Sequence, residues 1–139
     1  MSEDGKYEAE IRLVVPFHDV DPAQVVWHGR YVKYLELARC KLLDQIHYSY
    51  KAMEESGYFW PVVDMRIKYI RPLLFDQVVL VRASVVEWEY RLKINYTIRD
   101  AGTLEKLTKA YTIQVAFDIE KKEMLYESPP VLKQKLGVG

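Results

Sequence analysis

A single cysteine, Cys40, stands among the 139 residues. One thiol excludes an intrachain disulfide framework and a zinc site built on several cysteines. Flanked by core-facing positions of a predicted helix, it reads as a buried, inert thiol rather than a nucleophile. Charge of one sign is lacking too: 20 basic residues balance 20 acidic ones. That balance, with no basic stripe, argues against general attraction to nucleic acid or to an anionic membrane surface. Long apolar runs are missing; "VVLV" at Val78–Val81 is typical, and none approaches the roughly 20 residues of a membrane span. The start, "MSEDGKYEAE", has no apolar signal core, so a cytoplasmic location is the simple expectation. There is no low-complexity segment, repeat or linker. What is present is a 50% apolar, 13% aromatic chain, which is not a disordered composition. One domain over 1–139 is expected, with a core at about 7–120 and a short C-terminal tail. A domain of this size buries about two thirds of its unfolded surface.

Periodicity gives the order of elements. From Tyr7 to Phe17 the odd positions are Tyr, Ala, Ile, Leu, Val and Phe, while Glu8, Glu10 and Arg12 fall between them. This period of two predicts a half-buried strand, with Pro16 near its end. The period then lengthens: Tyr31, Tyr34, Leu35, Ala38, Leu42 and Ile46 share one helical face. A helix is predicted from Gly29 to about Tyr48, about 30 Å long, with a short continuation in "YKAMEESGYFWP" ending near Gly57. Four strands follow: Val63–Tyr69, closed by Pro72; Gln77 to about Glu89; Leu92–Ile98; and Leu107–Phe117, after a turn at "RDAGT". The tail "SPPVLKQKLGVG" is expected as an extended segment or small helix. One long helix on an antiparallel sheet is an α+β layer arrangement. The mild residues Ala110, Thr112, Gln114 and Ala116 are expected on the sheet's outer face, for pairing with a second subunit.

Between the first strand and the helix stand Asp19, Asp21 and His28. A helix start presents unpaired N–H groups with partial positive charge, suited to an anion or a developing oxyanion. A carboxylate beside it could act on a carbonyl held there, as nucleophile or general base. Gly29 would let a ligand approach the backbone closely. By residue type alone, Asp21 could equally form only an Asx turn. Asp19 reads as a loop or cap residue and is the alternative carboxylate; His18 and His47 carry no expected catalytic role. A divalent metal on His18, Asp19, Asp21 and His28 fits no familiar ligand spacing, and none is expected.

The stretch "FHDVDPAQVVWHGRYVKYLELAR" resembles the opening motif of the 4-hydroxybenzoyl-CoA thioesterase-like family of hotdog-fold proteins. "VVDMRIKYIRPLLFDQVVLVRASVVE" matches a second stretch of that family, with its Arg–Pro between two strands. The resemblance implies a hotdog fold, with one long central helix packed on a five-stranded antiparallel sheet. It implies Asp21 as the catalytic carboxylate and the backbone N–H of His28 as the holder of the thioester oxygen. The substrate would be an acyl thioester of coenzyme A or of acyl carrier protein, with no metal or redox cofactor. The active site would form in a homodimer or homotetramer. Trp27 and Tyr31 are candidates to line an acyl pocket; Arg71 and Arg91 are candidates for the coenzyme A phosphates. Ala23–Gln24 stands where the family often has a glycine after the Asp turn, and Gln77 where many members carry an acid. Two competing readings are a hotdog protein that binds thioesters without hydrolysing them, and a hotdog dehydratase. The dehydratase needs a histidine partner that Glu36 lacks.

Overall fold

The computed structural model describes residues 7–138. Met1–Lys6, most of the stretch without a signal core, lies outside them. Strand β1 (Glu8–Val14) is followed by α1 (Tyr31–Gln45), α2 (Tyr50–Glu55), β2 (Tyr58–Phe59), β3 (Val62–Tyr69), β4 (Val78–Glu87), β5 (Leu92–Asp100), β6 (Lys106–Gln114), β7 (Phe117–Asp118), β8 (Glu123–Met124) and α3 (Pro130–Leu136). Five strands form an antiparallel sheet in the order β1-β4-β5-β6-β3. With α1 packed on it, this is the expected hotdog arrangement. Among the described residues no helix is long and apolar enough to cross a membrane.

The predicted helical face is the buried one: Tyr31, Tyr34, Leu35, Ala38, Leu42 and Ile46 are all at or below 2% exposure. They pack with Val79, Val81 and Ala83 of β4 and Leu92, Ile94 and Ile98 of β5 in one core. The helix does not continue through Tyr48. His47 takes a left-handed φ of 58°, which ends regular helix. Ser49 then caps α2 afresh, its hydroxyl accepting from the Ala52 N–H at 3.3 Å. The first strand is likewise shorter than predicted. It stops before Pro16, which has no N–H to give a ladder, and Phe17–Asp19 form a 3₁₀ turn. β6 stops at Gln114, and Phe117–Asp118 joins a separate three-stranded sheet with β2 and β8. The tail is a small helix, anchored by buried Leu132 and Leu136.

One expectation about sheet faces is reversed. Ala110, Thr112 and Gln114 are buried on the helix side with Thr108, not on the outer face, and Ala116, past the end of β6, is buried too. The Thr112 hydroxyl and the Gln114 amide nitrogen find partners indoors, whereas Thr108 Oγ1 and Gln114 Oε1 have none among the described residues. The Tyr96 and Thr112 hydroxyls lie 2.8 Å apart, and the buried Arg39 Nη1 donates to the Tyr96 hydroxyl at 3.5 Å. Gln114 Nε2 donates to the Trp60 carbonyl at 2.7 Å. Buried polar groups tolerate the interior when they are bonded in this way.

The helix lies over β1 and β4, off the sheet's midline. At the other edge, Met65 and Tyr69 of β3 share a face with buried Thr112 and Thr108, yet remain 40% and 47% exposed. Leu42→Ala should cost about 2–5 kcal/mol in urea denaturation, whereas Leu37→Ala, half-exposed on the same helix, should cost under about 0.5 kcal/mol.

Candidate active site

The segment between β1 and α1 is a compact loop tied down at both ends. Val20 and Val26 form an antiparallel bridge, and Val25 forms another with Leu74. The Val26 N–H donates to the Leu73 carbonyl at 2.8 Å, and the Trp27 N–H to the Asp19 carbonyl at 3.1 Å. At the tip, Asp21 opens an Asx turn: its Oδ1 accepts from the Ala23 N–H at 2.9 Å, and its carbonyl accepts from Gln24 at 2.8 Å. Its other carboxylate oxygen bonds nothing among the described residues. Turn geometry and an available oxygen therefore coexist in one residue. Gln24 adopts φ 65°, the conformation a glycine would hold without strain.

His28–Arg30 form a 3₁₀ turn that leads into α1. Trp27, the residue before it, offers no side-chain cap. Among the described residues the N–H groups of His28 and Gly29 donate to nothing. This is a helix start with its first donors free, in the loop that carries Asp21. The space in front of Gly29 is filled by Trp27: a Cβ there would meet the indole ring at 2.3 Å. Trp27 itself is half-exposed, with its ring 5.2 Å from that of His28.

Asp19 emerges as the residue that organises the loop, a role beyond the cap expected from sequence. Its side chain is fully buried. Lys33 Nζ donates to its two oxygens at 2.8 and 2.7 Å, and the Tyr34 hydroxyl donates to Oδ2 at 2.7 Å. Arg30 Nε and His18 Nε2 stand at 3.8 and 3.7 Å. Burial alone would raise this carboxyl's pKa, but the bonds from Lys33 and Tyr34 outweigh it and hold the value below that of an ordinary aspartate. The Tyr34 hydroxyl is pushed up, first by burial and then by its bond to Asp19. No spacing rule links Asp19 to a lysine 14 residues on; Lys33 reads as solvent-facing until the strand turns back on the helix.

The other candidates separate. Tyr31 is a core residue: its hydroxyl accepts the Leu73 N–H at 3.3 Å, and its ring meets Tyr69 edge-on at 4.8 Å. Arg71, on the segment that also carries Leu73 and Leu74, pairs with Glu105 at 2.5 Å. Arg91 pairs with Glu87 at 2.8 Å in the β4–β5 turn. Val14 faces Val78 at the start of β4, so Arg91 lies a whole strand away from the Asp21 loop, roughly 30 Å. Cys40 is half-buried, and burial pushes its thiol up. Among the described residues no cluster of histidine, cysteine and carboxylates is arranged to hold a metal.

Comparison with known proteins agrees with this architecture. The family model of the thioesterase-like superfamily matches residues 15–136, and the chain belongs to that superfamily. A putative esterase of Synechocystis sp. is 30% identical over 128 residues, 91% of this chain and 77% of that protein. A putative acyl-CoA thioesterase of Bacillus subtilis, YneP, is 29% identical over 118 residues, 84% of this chain and 81% of its own. The crystal structure of a 4-hydroxybenzoyl-CoA thioesterase variant complexed with 4-hydroxybenzoyl-CoA superposes with a TM-score of 0.81. It covers 94% of this chain and 99% of that one at 17% identity, a likeness of fold.

Asp19→Asn should destabilise the protein by about 1–3 kcal/mol at pH 7, a range discounted because Lys33 is part-exposed. A lowered folded pKa contributes stability above the unfolded value and loses it as pH falls through the folded value. The gap between wild type and variant should therefore hold near neutrality and narrow below about pH 4, which urea titrations at several pH values would read. Gln24→Gly should raise stability by up to about 1 kcal/mol by relieving the left-handed backbone; a loss in thermal melting would contradict that.

Proposed function

We propose that the chain hydrolyses acyl-CoA thioesters, with Asp21 as nucleophile or general base and the helix start at His28 as the oxyanion site. The carrying observation is the pairing, in one short loop, of a carboxylate oxygen and two backbone N–H groups that have no partner among the described residues. In the tetrahedral stage the thioester oxygen gains negative charge, and fixed N–H donors stabilise it without reorganising. Asp21 either attacks the carbonyl carbon, expelling the coenzyme A thiolate and leaving an anhydride for water to cleave, or takes a proton from attacking water. Both routes end in a free acid and a thiol. No cofactor takes part, because coenzyme A arrives as part of the substrate.

The names of the relatives support the substrate class. Exposed apolar groups beside the loop support an acyl end: Trp27, Leu74, and Phe17 packed edge-on against Phe75 at 5.5 Å. A phosphate meeting Arg71 would compete with Glu105. Arg91 can serve a thioester at Asp21 only from a second subunit, given the strand length between them. This fits a homodimer built on the β3 edge, whose backbone groups on one side are unpaired among the described residues and where Val63, Met65, Tyr69 and the adjoining Ile70 are exposed.

Thiol release from short, long and aromatic acyl-CoAs tests the reading with wild type and Asp21→Ala side by side. The variant should lose a hundredfold or more, roughly the effect of removing one transition-state group. Turnover that survives in Asp21→Ala would sink the assignment of that carboxylate.

A further inference from the structure

The outer face of the sheet carries a charge arrangement that the thioesterase reading does not use. Lys68 of β3 sits directly opposite Lys109 of β6, and Lys109 directly opposite Thr97 of β5. One row along, Arg66 faces Tyr111, which faces Asn95. Lys93 lies over the Tyr111 ring with its Nζ 4.7 Å from the centroid. These side chains line a cavity of about 460 Å³. Like charges directly across an antiparallel pair are destabilising, since their Cβ atoms stand about 5 Å apart. Here the cost is left uncompensated: among the described residues Arg66, Lys68 and Lys109 form no ion pair. The nearby Asp64 accepts a hydrogen bond from the Tyr111 hydroxyl at 3.4 Å. The same face neutralises a cation elsewhere. Arg82, next to Thr97 in the lysine row, reaches Glu8 and Glu10 at 3.3 and 3.2 Å.

We propose that Arg66, Lys68, Lys93 and Lys109 form a binding site for a diphosphate-bearing anion on the outer face of the sheet. Cations on neighbouring strands are about 4.8 Å apart across the sheet, and Arg66 and Lys68 are about 7 Å apart along it. A single carboxylate would meet one or two of them. A diphosphate presents several charged oxygens and meets three or four, and a guanidinium beside ammonium groups suits phosphate oxygens. Asn95 and Thr97 add neutral polar groups on the same floor. The chemistry is shared by a free nucleoside diphosphate and by the nucleotide end of coenzyme A. The site does not depend on the thioesterase reading, and its test reads binding rather than turnover.

Calorimetric titration of the whole chain at low salt with inorganic pyrophosphate, ADP and coenzyme A tests it. Three proteins are compared: wild type, Lys68→Gln/Lys109→Gln, and a control double variant at two distant exposed cations, Lys51→Gln/Lys121→Gln. Wild type should bind pyrophosphate saturably, the site variant at least tenfold more weakly, and the control within about twofold of wild type. The ligand-free site variant should melt no lower than wild type, because it removes a like-charge contact. Coenzyme A binding tighter than ADP would assign the site to the thioester's nucleotide end; ADP binding as tightly would assign it to a free nucleotide. Absence of saturable pyrophosphate binding, an unaffected site variant, or an equal loss in the control would overturn the proposal.

Discussion

The buried carboxylate of Asp19 holds the site together. It sits where β1 has just ended and α1 has just begun, and its two oxygens take three short bonds from Lys33 and Tyr34 on the helix. A carboxylate stripped of water is unfavourable unless it is paired and bonded. The pairing therefore locks a strand end to the first turns of a helix. Its own backbone carbonyl receives the Trp27 N–H, so the intervening residues are drawn into a closed loop. Asp21 and the N–H groups of His28 and Gly29, which donate to nothing among the described residues, are thereby carried on one fixed segment. The chemistry proposed for Asp21 rests on this neighbouring aspartate, which does none of it.

A second constraint is the off-centre seat of α1. Covering β1 and β4 buries one side of the sheet well and leaves β3 with a bare edge and a bare inner face. Apolar exposure of that extent beside unpaired strand groups is unusual for a chain that stays alone. It is also where a second copy would bring distant basic groups toward the Asp21 loop. The outer face follows a different rule: acids and a base are matched on its β1–β4 side, while among the described residues Arg66, Lys68 and Lys109 stand unmatched on its β3–β6 side.

The buried face of α1 was legible because six residues in a helical period leave little choice of which side meets the core. The two ends of the helix were less so. Nothing local announces that His47 takes a left-handed turn, or that Ser49 starts a new helix rather than continuing the old one. The faces of β6 were misread for a different reason. Threonine, alanine and glutamine look like a solvent face, and only the tertiary placement of Tyr96 and Trp60 supplies the partners that Thr112 and the Gln114 amide nitrogen meet indoors. The loop motif pointed to Asp21 and His28, and the structure puts both on one short loop. It could not show that Asp19 would be buried, that Gln24 would bear the left-handed backbone, or that Arg71 and Arg91 would already hold glutamates. The Asp19 and Arg71 partners lie 14 and 34 positions away in sequence, the Arg91 partner only four away but across a turn, and the Gln24 conformation depends on that turn's φ.

The measurement that bears most directly on the account is a crystal structure with an acyl-CoA analogue whose thioester sulfur is replaced by methylene. The ketone oxygen should lie about 3 Å from the N–H groups of His28 and Gly29, with Asp21 facing the carbonyl carbon or a water beside it. A ligand bound with its carbonyl away from that helix start, or with Asp21 turned wholly into its Asx turn and remote from the carbonyl, would contradict the account.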